Sequence, residues 1–371
     1  MALIQYLSRI QFDFGAVALL SEEIARLGLR RPLLITDKGV AGAGILNRVL
    51  DAAKPCDVLV YDRTTENPTE QSLLECLDIW QDKGCDGVIA LGGGSAIDLS
   101  KAVALLATHG GKLADYNVKT GGSAGIGKVA PQIAIPTAAG TGAEIGRACV
   151  MSLLDGSKMV AVNLNMIADT VICDPELTLT LPSALTAATG IDAFSHGVEA
   201  TMSLSVNPPA EAIALDCVAR AAKWLPVAVQ DGGNRQARWE MMMAALEGGM
   251  CLQKGLGGAH AMGTPLGELH LHHGRLIGVL LPHITRFNAE AARQAQARIR
   301  QAAEVPDYIA LPDWISSLVR SLGLPTTLGE MGVKADILPA IAEKALADHL
   351  TLTNPRQPTA ADYLHMLQAA L

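Results

Sequence analysis

The feature that most restricts this chain is an alternation that stops halfway. Up to residue 180, short apolar runs alternate with amphipathic stretches. Arg31–Asp37, Cys56–Tyr61, Gly87–Leu91 and Gln132–Pro136 read as buried strands, with Ala16–Leu29 and Thr69–Lys83 as helices between them. Strands that are apolar on both faces suit a parallel sheet covered by helices on both sides. Two more short strands are expected near Met159–Val162 and Thr170–Cys173. After Leu181-Pro182 the β-branched runs vanish, and Ala, Leu and Met at helical spacing continue to the C-terminus. The expected fold is therefore α/β plus all-α, with a parallel-sheet domain over residues 1–180 and a helical domain over residues 181–371.

Composition narrows the partners. With 50% hydrophobic and 18% charged residues over 371 positions, the chain has ample apolar matter for a core. A formal charge of −8 makes nucleic acid a poor partner. No apolar run reaches the roughly 20 residues of a membrane span. Met1–Leu20 carries Arg9 and Asp13 and lacks the shape of a secretory signal. Seven scattered cysteines, an odd number without a CxxC, read as reduced thiols and point to the cytoplasm. The Gly-rich stretch from Lys119 to Lys128 reads as a surface loop.

Two groups of residues carry chemistry. Gly92-Gly93-Gly94-Ser95 follows the third strand, and Ala96–Lys101 opens a helix. Glycines let the backbone approach an anion, and the helix start offers free N–H groups, so the turn is a diphosphate candidate. It is not GxGxxG, because Ile97 stands where the last glycine belongs. Gly39–Gly44 has glycines after a strand, but in the wrong spacing. Asp37, at the end of the first strand, is either a ribose-hydroxyl acceptor that would repel a 2′-phosphate or an ordinary turn residue.

The second group is built on histidine. Asp192 and His196 are four apart, on one face of a helix. His260, His270, His272 and His273 fall within fourteen residues of apolar, Gly-rich sequence. Such oxygen and nitrogen donors suit Fe²⁺ or Zn²⁺ better than Ca²⁺ or Mg²⁺. There is no HExxH, so protease chemistry is not indicated. A phosphate turn together with a metal set suggests metal-assisted oxidoreduction in a cleft between the domains.

These residues resemble the iron-containing (group III, metal-dependent) alcohol dehydrogenases over essentially the whole chain. Gly92–Lys101 is similar to that family's GGGSxxDxxK, Pro136–Glu144 to PTTxGTGSE, and Ala188–His196 to ATGxDAxxH. His260 and His273-Gly274 fall where its two later metal histidines stand. Tyr6–Val40, Asn67–Glu70 and Thr351–Pro355 resemble the 4-hydroxybutyrate dehydrogenase branch. The resemblance implies a Rossmann-like first domain, a helical metal domain and a homodimer. It implies Asp192, His196, His260 and His273 as ligands of Fe²⁺ or Zn²⁺. It implies NAD held at Gly92, Gly93, Gly94 and Ser95, with Asn67, Asp98, Thr137, Thr141 and Lys158 nearby and Asp37 favouring NAD over NADP.

The implied reaction is hydride transfer between NAD(H) and a short alcohol/aldehyde pair, with 4-hydroxybutyrate and succinic semialdehyde as one such pair. The family's usual histidine four residues after the third ligand is here Thr264, so Thr264, His270 and His272 are the candidates for moving the proton. Arg147 and Lys254 are candidates for a substrate carboxylate, or else ion-pair residues. Polyol oxidation like that of glycerol dehydrogenases, a dehydroquinate-synthase-like lyase and a non-catalytic NAD-binding oligomer stay open beside this reading.

Overall fold

The computed structural model describes residues 8–371. The part of the Met1–Leu20 reading on residues 1–7, and Tyr6 of the 4-hydroxybutyrate-like opening, lie outside the described residues. The chain divides into two compact units. One comprises the described residues up to Ala138 together with Gly142–Thr180, and the other comprises Ala139–Thr141 with Leu181–Leu371.

The first unit holds eight strands: β1 (Arg9–Phe12), β2 (Leu33–Ile35), β3 (Leu59–Tyr61), β4 (Val88–Gly92), β5 (Gln132–Pro136), β6 (Ala148–Ser152), β7 (Lys158–Val162) and β8 (Thr170–Cys173). Six form one sheet in the order β1-β8-β5-β4-β2-β3, every pairing parallel. β6 and β7 form a separate antiparallel hairpin. Its helices are α1 (Leu20–Leu27), α2 (Lys38–Gly42), α3 (Ile45–Ala52), α4 (Glu70–Lys83) and α5 (Gly94–His109).

The central strands β2, β4, β5 and β8 are buried along their whole length, as helices on both faces require. Leu33 and Ile35 pack with Leu99 and Val103 on one face, and Leu34 between them packs with Leu20, Ile24 and Val49 on the other. That is the period-two alternation of a strand.

Strand lengths differ from the sequence reading for local reasons. The Arg31–Asp37 run pairs only at Leu33–Ile35. Pro32 has no N–H to give, and Asp37 turns out to cap α2. Cys56–Tyr61 shrinks to Leu59–Tyr61, at an edge of the sheet. Ala16–Leu29 becomes a short 3-10 turn followed by α1, which ends where Gly28 takes φ 71°. β1 and β6 were not foreseen; β1 is a mostly half-exposed edge strand without a continuous apolar run. The Lys119–Lys128 stretch holds 3-10 turns over Val118–Thr120 and Gly122–Gly125.

The second unit contains α6 (Ser183–Met202), α7 (Pro208–Gln230), α8 (Arg235–Cys251), α9 (Gly258–Leu266), α10 (His273–Phe287), α11 (Arg293–Ala302), α12 (Leu311–Ser321), α13 (Leu338–Leu346) and α14 (Ala360–Ala369). Asn207 and Asn234 cap α7 and α8, accepting from Ala210 and Ala237. α6 is the hub. Sixteen of its 20 residues are buried, so it is a core helix without a solvent face. α7, α8 and α10 pack around it. Gly274 on α10 lies against the Ala188 carbonyl of α6, where a Cβ would collide with the backbone. Among the described residues no helix is long and apolar enough to cross a membrane.

Candidate functional site

α6 carries Asp192, His196 and Glu199 at i, i+4 and i+7, one stripe of a helix. α9 supplies His260 in its first turn, and α10 begins at His273. The close approach of α10 to α6 at Gly274 brings the histidine beside Asp192. Asp192 Oδ1 lies 3.7 Å from His196 Nε2, 3.5 Å from His260 Nε2 and 3.6 Å from His273 Nε2. The donor atoms of Asp192, His260 and His273 all lie within 4.8 Å of one another. His196 joins through Asp192 and through its ring, 4.9 Å from that of His260. Asp192, His196 and His260 are buried, whereas the His273 side chain is 42% exposed and marks the open side of the cluster.

Asp192 Oδ1, His196 Nδ1 and His260 Nε2 are buried without a hydrogen-bond partner. Buried polar atoms seldom stay unpaired in a native fold. The geometry explains the pattern at His260. Its Nδ1–H donates to Glu199 Oε2 at 2.5 Å, which leaves the Nε2 lone pair facing another acceptor, Asp192 Oδ1. Two acceptors facing each other across 3.5 Å fit a cation between them. Burial alone would raise the Asp192 carboxyl, but His196, His273 and His260 hold it below the ordinary carboxylate range. Burial pushes His196 down to about 4, against the pull of Asp192. At His260 the burial that disfavours a charged ring is outweighed by the Asp192 and Glu199 carboxylates, so without a metal the imidazole is pushed up to about 9 and a cation at Nε2 takes the place of a proton.

Glu199 is the residue that sequence reasoning missed. Its carboxylate meets an α9 residue 61 positions away, so the spacing of Asp192, His196 and Glu199 on one helical stripe was the available signal. Thr264 is exposed, one turn after His260, and its hydroxyl donates to the His260 carbonyl at 2.9 Å. His270 is exposed and takes φ 59°. His272 is half-buried and directly precedes α10.

In the first unit β4 runs into α5 through Gly92 and Gly93. Gly92 has φ 152°, and a Cβ there would stand 2.9 Å from the Ala96 Cβ. No heavy atom lies within 4 Å of a Cβ built on Gly93, so the turn is open on that side. α5 has no side-chain N-cap, and its first N–H groups are left for an external acceptor. Asp37 Oδ1 accepts the Val40 N–H at 2.9 Å, while Oδ2 is 3.5 Å from the position of a Gly92 Cβ. Asp37 thus caps α2 with one oxygen, as a turn residue does, and its other oxygen faces the glycine turn.

Around this turn the Ser95 hydroxyl donates to the Glu66 carbonyl. The Thr137 N–H donates to Gly92 O at 3.1 Å. Lys158 Nζ donates to Asn67 Oδ1 at 3.2 Å. Asp98 accepts the Val150 N–H at 3.1 Å, and burial pushes its carboxyl up to about 6 against Lys101, that N–H and Lys158. Lys101 is buried, with Nζ on the carbonyls of Ala143, Gly146 and Ala148, and it locks that loop to α5. Thr141 is exposed and is grouped with the other unit.

Lys254 takes the ion-pair alternative. Its buried Nζ donates to the carbonyls of Ala200, Thr201 and Ser203 and pairs with Glu211, closing the C-terminus of α6. It has no donor left for a substrate carboxylate. Arg147 is exposed.

The family pattern described as iron-containing alcohol dehydrogenase matches residues 8–175, and that described as Fe-containing alcohol dehydrogenase family, C-terminal, matches residues 186–371. The chain is 45% identical over 382 residues to a 4-hydroxybutyrate dehydrogenase of Cupriavidus necator, covering 100% of both chains. Among solved structures it is similar to a 1,3-propanediol oxidoreductase, with TM-score 0.92, 32% identity and 100% of both chains covered. It is also similar to a sulfoacetaldehyde reductase from Bifidobacterium kashiwanohense in complex with NAD+, with TM-score 0.90 and 27% identity, covering 100% of this chain and 98% of that one.

Proposed function

The chain belongs to the iron-containing alcohol dehydrogenase family, and from that premise we propose that it transfers a hydride between NAD(H) and a short-chain alcohol/aldehyde pair, with 4-hydroxybutyrate and succinic semialdehyde first among the candidates. The observation that carries this reading is the pair of unpaired buried acceptors, Asp192 Oδ1 and His260 Nε2, facing each other across 3.5 Å. Asp192, His196, His260 and His273 would hold Fe²⁺ or Zn²⁺, since one carboxylate and three imidazoles accept either. A bound divalent cation supplies Lewis acidity and the dinucleotide supplies the hydride acceptor.

The remaining work falls to the chain. Gly92, Gly93, Gly94 and Ser95 would take the diphosphate on backbone N–H groups, aided by the dipole of α5. Asp37 Oδ2 would accept a ribose hydroxyl and repel a 2′-phosphate. Asn67, Asp98, Thr137 and Lys158 border that turn, and Thr141 joins them in the proposed cofactor set.

The proton needs a carrier that can titrate near neutrality. Thr264 can accept a hydrogen bond while its hydroxyl serves the His260 carbonyl, and it can pass a proton on only by turning away. His272, beside His273 in sequence, and the exposed His270 have imidazoles suited to the transfer. The lyase reading has no support from the named relatives, whereas a diol substrate does, since one of them is a 1,3-propanediol oxidoreductase. Seven free cysteines, six of them buried, accord with a reducing compartment, and we place the enzyme in the cytoplasm as a homodimer.

The test is NADH oxidation by Fe²⁺- or Zn²⁺-loaded protein with succinic semialdehyde, short unbranched aldehydes and other anionic aldehydes. Turnover with one clear preference, in favour of succinic semialdehyde, is the expected result. Confirmed metal and NADH binding without turnover on any aldehyde would contradict the dehydrogenase reading for this chain.

A further inference from the structure

α9 begins without a capping side chain of its own. Gly257 is its N-cap, and the first free N–H groups are those of Gly258, Ala259 and His260. All three are met by side chains distant in sequence. The Gly258 N–H donates to Asn354 Oδ1 at 3.2 Å, the Ala259 N–H to Glu199 Oε1 at 2.8 Å and the His260 N–H to Glu199 Oε2 at 3.4 Å. Asn354 is itself fixed by a reciprocal pair of 2.9 Å bonds with Asn288. Glu199, Asn354 and Asn288 are all buried.

Glu199 Oε2 also takes the Nδ1–H of His260, so one carboxylate holds both the backbone and the ring of the same residue. Gly257 makes this possible: a Cβ there would stand 2.9 Å from Asn354 Oδ1 and 3.0 Å from Glu199 Oε1.

We propose that Glu199 is a positioning residue for the metal centre, fixing the start of α9, the ring orientation and the tautomer of His260 together. The inference rests on the metal reading above and adds to it a residue that touches neither substrate nor cofactor. The ring cannot turn without releasing Nδ1–H from the carboxylate, and the helix cannot shift without releasing two further N–H groups. Asp192 and Glu199 stand two turns apart on α6, so one rigid helix presents a ligand and also aims the ligand of another helix.

The test uses metal-stripped full-length protein titrated with Zn²⁺ against a chelating competitor. Metal per chain is read by elemental analysis, and the melting temperature of each stripped protein is recorded beside it. Wild type, E199Q, E199D and G257A are compared. Wild type is expected to bind one Zn²⁺ per chain, and E199Q to bind about 10- to 100-fold more weakly, the range for partners that orient a metal-bound histidine. E199D should fall between them. G257A should also bind more weakly, although its glutamate is chemically intact.

A helix cap with no positioning role would lower the melting temperature and leave Zn²⁺ affinity unchanged, so E199Q binding as tightly as wild type overturns the inference. If E199Q does not fold, unchanged affinity in both E199D and G257A overturns it equally. Failure of the wild type to take up Zn²⁺ is a separate outcome. It removes the metal reading, and this inference with it, before any variant is compared.

Discussion

The Asp192 cluster and the Gly92–Ser95 turn are opposite ways of building a site. The first is made of side chains from α6, α9 and α10, with Asp192, His196 and His260 buried and three of their polar atoms unpaired. The second is made of backbone, left accessible because Gly93 has no neighbour where a side chain would be. A site of side chains depends on convergence and fails when one member is lost. A backbone site depends on the absence of Cβ atoms and weakens by degrees.

The largest expected effect is therefore on the side-chain site. Asp192→Ala removes the atom that all three histidines face. It should abolish metal retention and lower kcat/KM by on the order of 10³-fold or more, consistent with several kcal/mol of lost Lewis-acid stabilisation. A variant that kept both metal and activity would refute the ligand assignment.

The turn should respond more mildly and in a graded way. Gly92→Ala forces an L-residue to φ 152° against the Ala96 Cβ and should cost about 1–3 kcal/mol of stability. Gly93→Ala sits at φ −81° with open space around it and should change stability by about 1 kcal/mol or less. It should nonetheless weaken NADH binding, measured by fluorescence titration, because the new methyl occupies the approach to the N–H groups. Wild-type NADH affinity in Gly93→Ala would show that the dinucleotide lies elsewhere.

An effect that shows only as a change with pH sharpens the contrast between two buried carboxyls. Asp192 is held below the ordinary range by its histidines. Glu144 in the first unit is pushed up to about 7 by burial, which its own backbone N–H and Lys101 only partly offset. A raised carboxyl favours the folded state while protonated, so its contribution is complete below about pH 4.5. It is lost as the pH rises to about 7. Urea unfolding should show Glu144→Gln removing a decline of about 2–3 kcal/mol between those limits. An identical pH dependence in both proteins would mean that Glu144 ionises as freely as in the unfolded chain.

Legibility in the sequence followed locality. β5 could be read residue for residue as Gln132–Pro136, because a fully buried parallel strand is a continuous apolar run. The start of α6 just past Leu181-Pro182 was marked by proline and by the end of the β-branched runs. β1 was hidden because an edge strand is only partly buried. Asp192 and His196 were visible as a pair on one helix. The helical stripe places Glu199 beside Asp192 but does not name its partner: its service to His260, like the burial of Lys254 on the end of α6, depends on contacts 61 and more than 50 residues apart.

The most direct test of the central claim is a titration. Metal-stripped protein receives Fe²⁺ under anaerobic conditions, or Zn²⁺, in sub-stoichiometric steps. After each step, bound metal and the rate of NADH oxidation with succinic semialdehyde are measured on the same sample. The stripped protein should be inactive, and the rate should rise linearly until one metal is bound per chain. Full activity without metal, or a rate indifferent to occupancy, would contradict that claim.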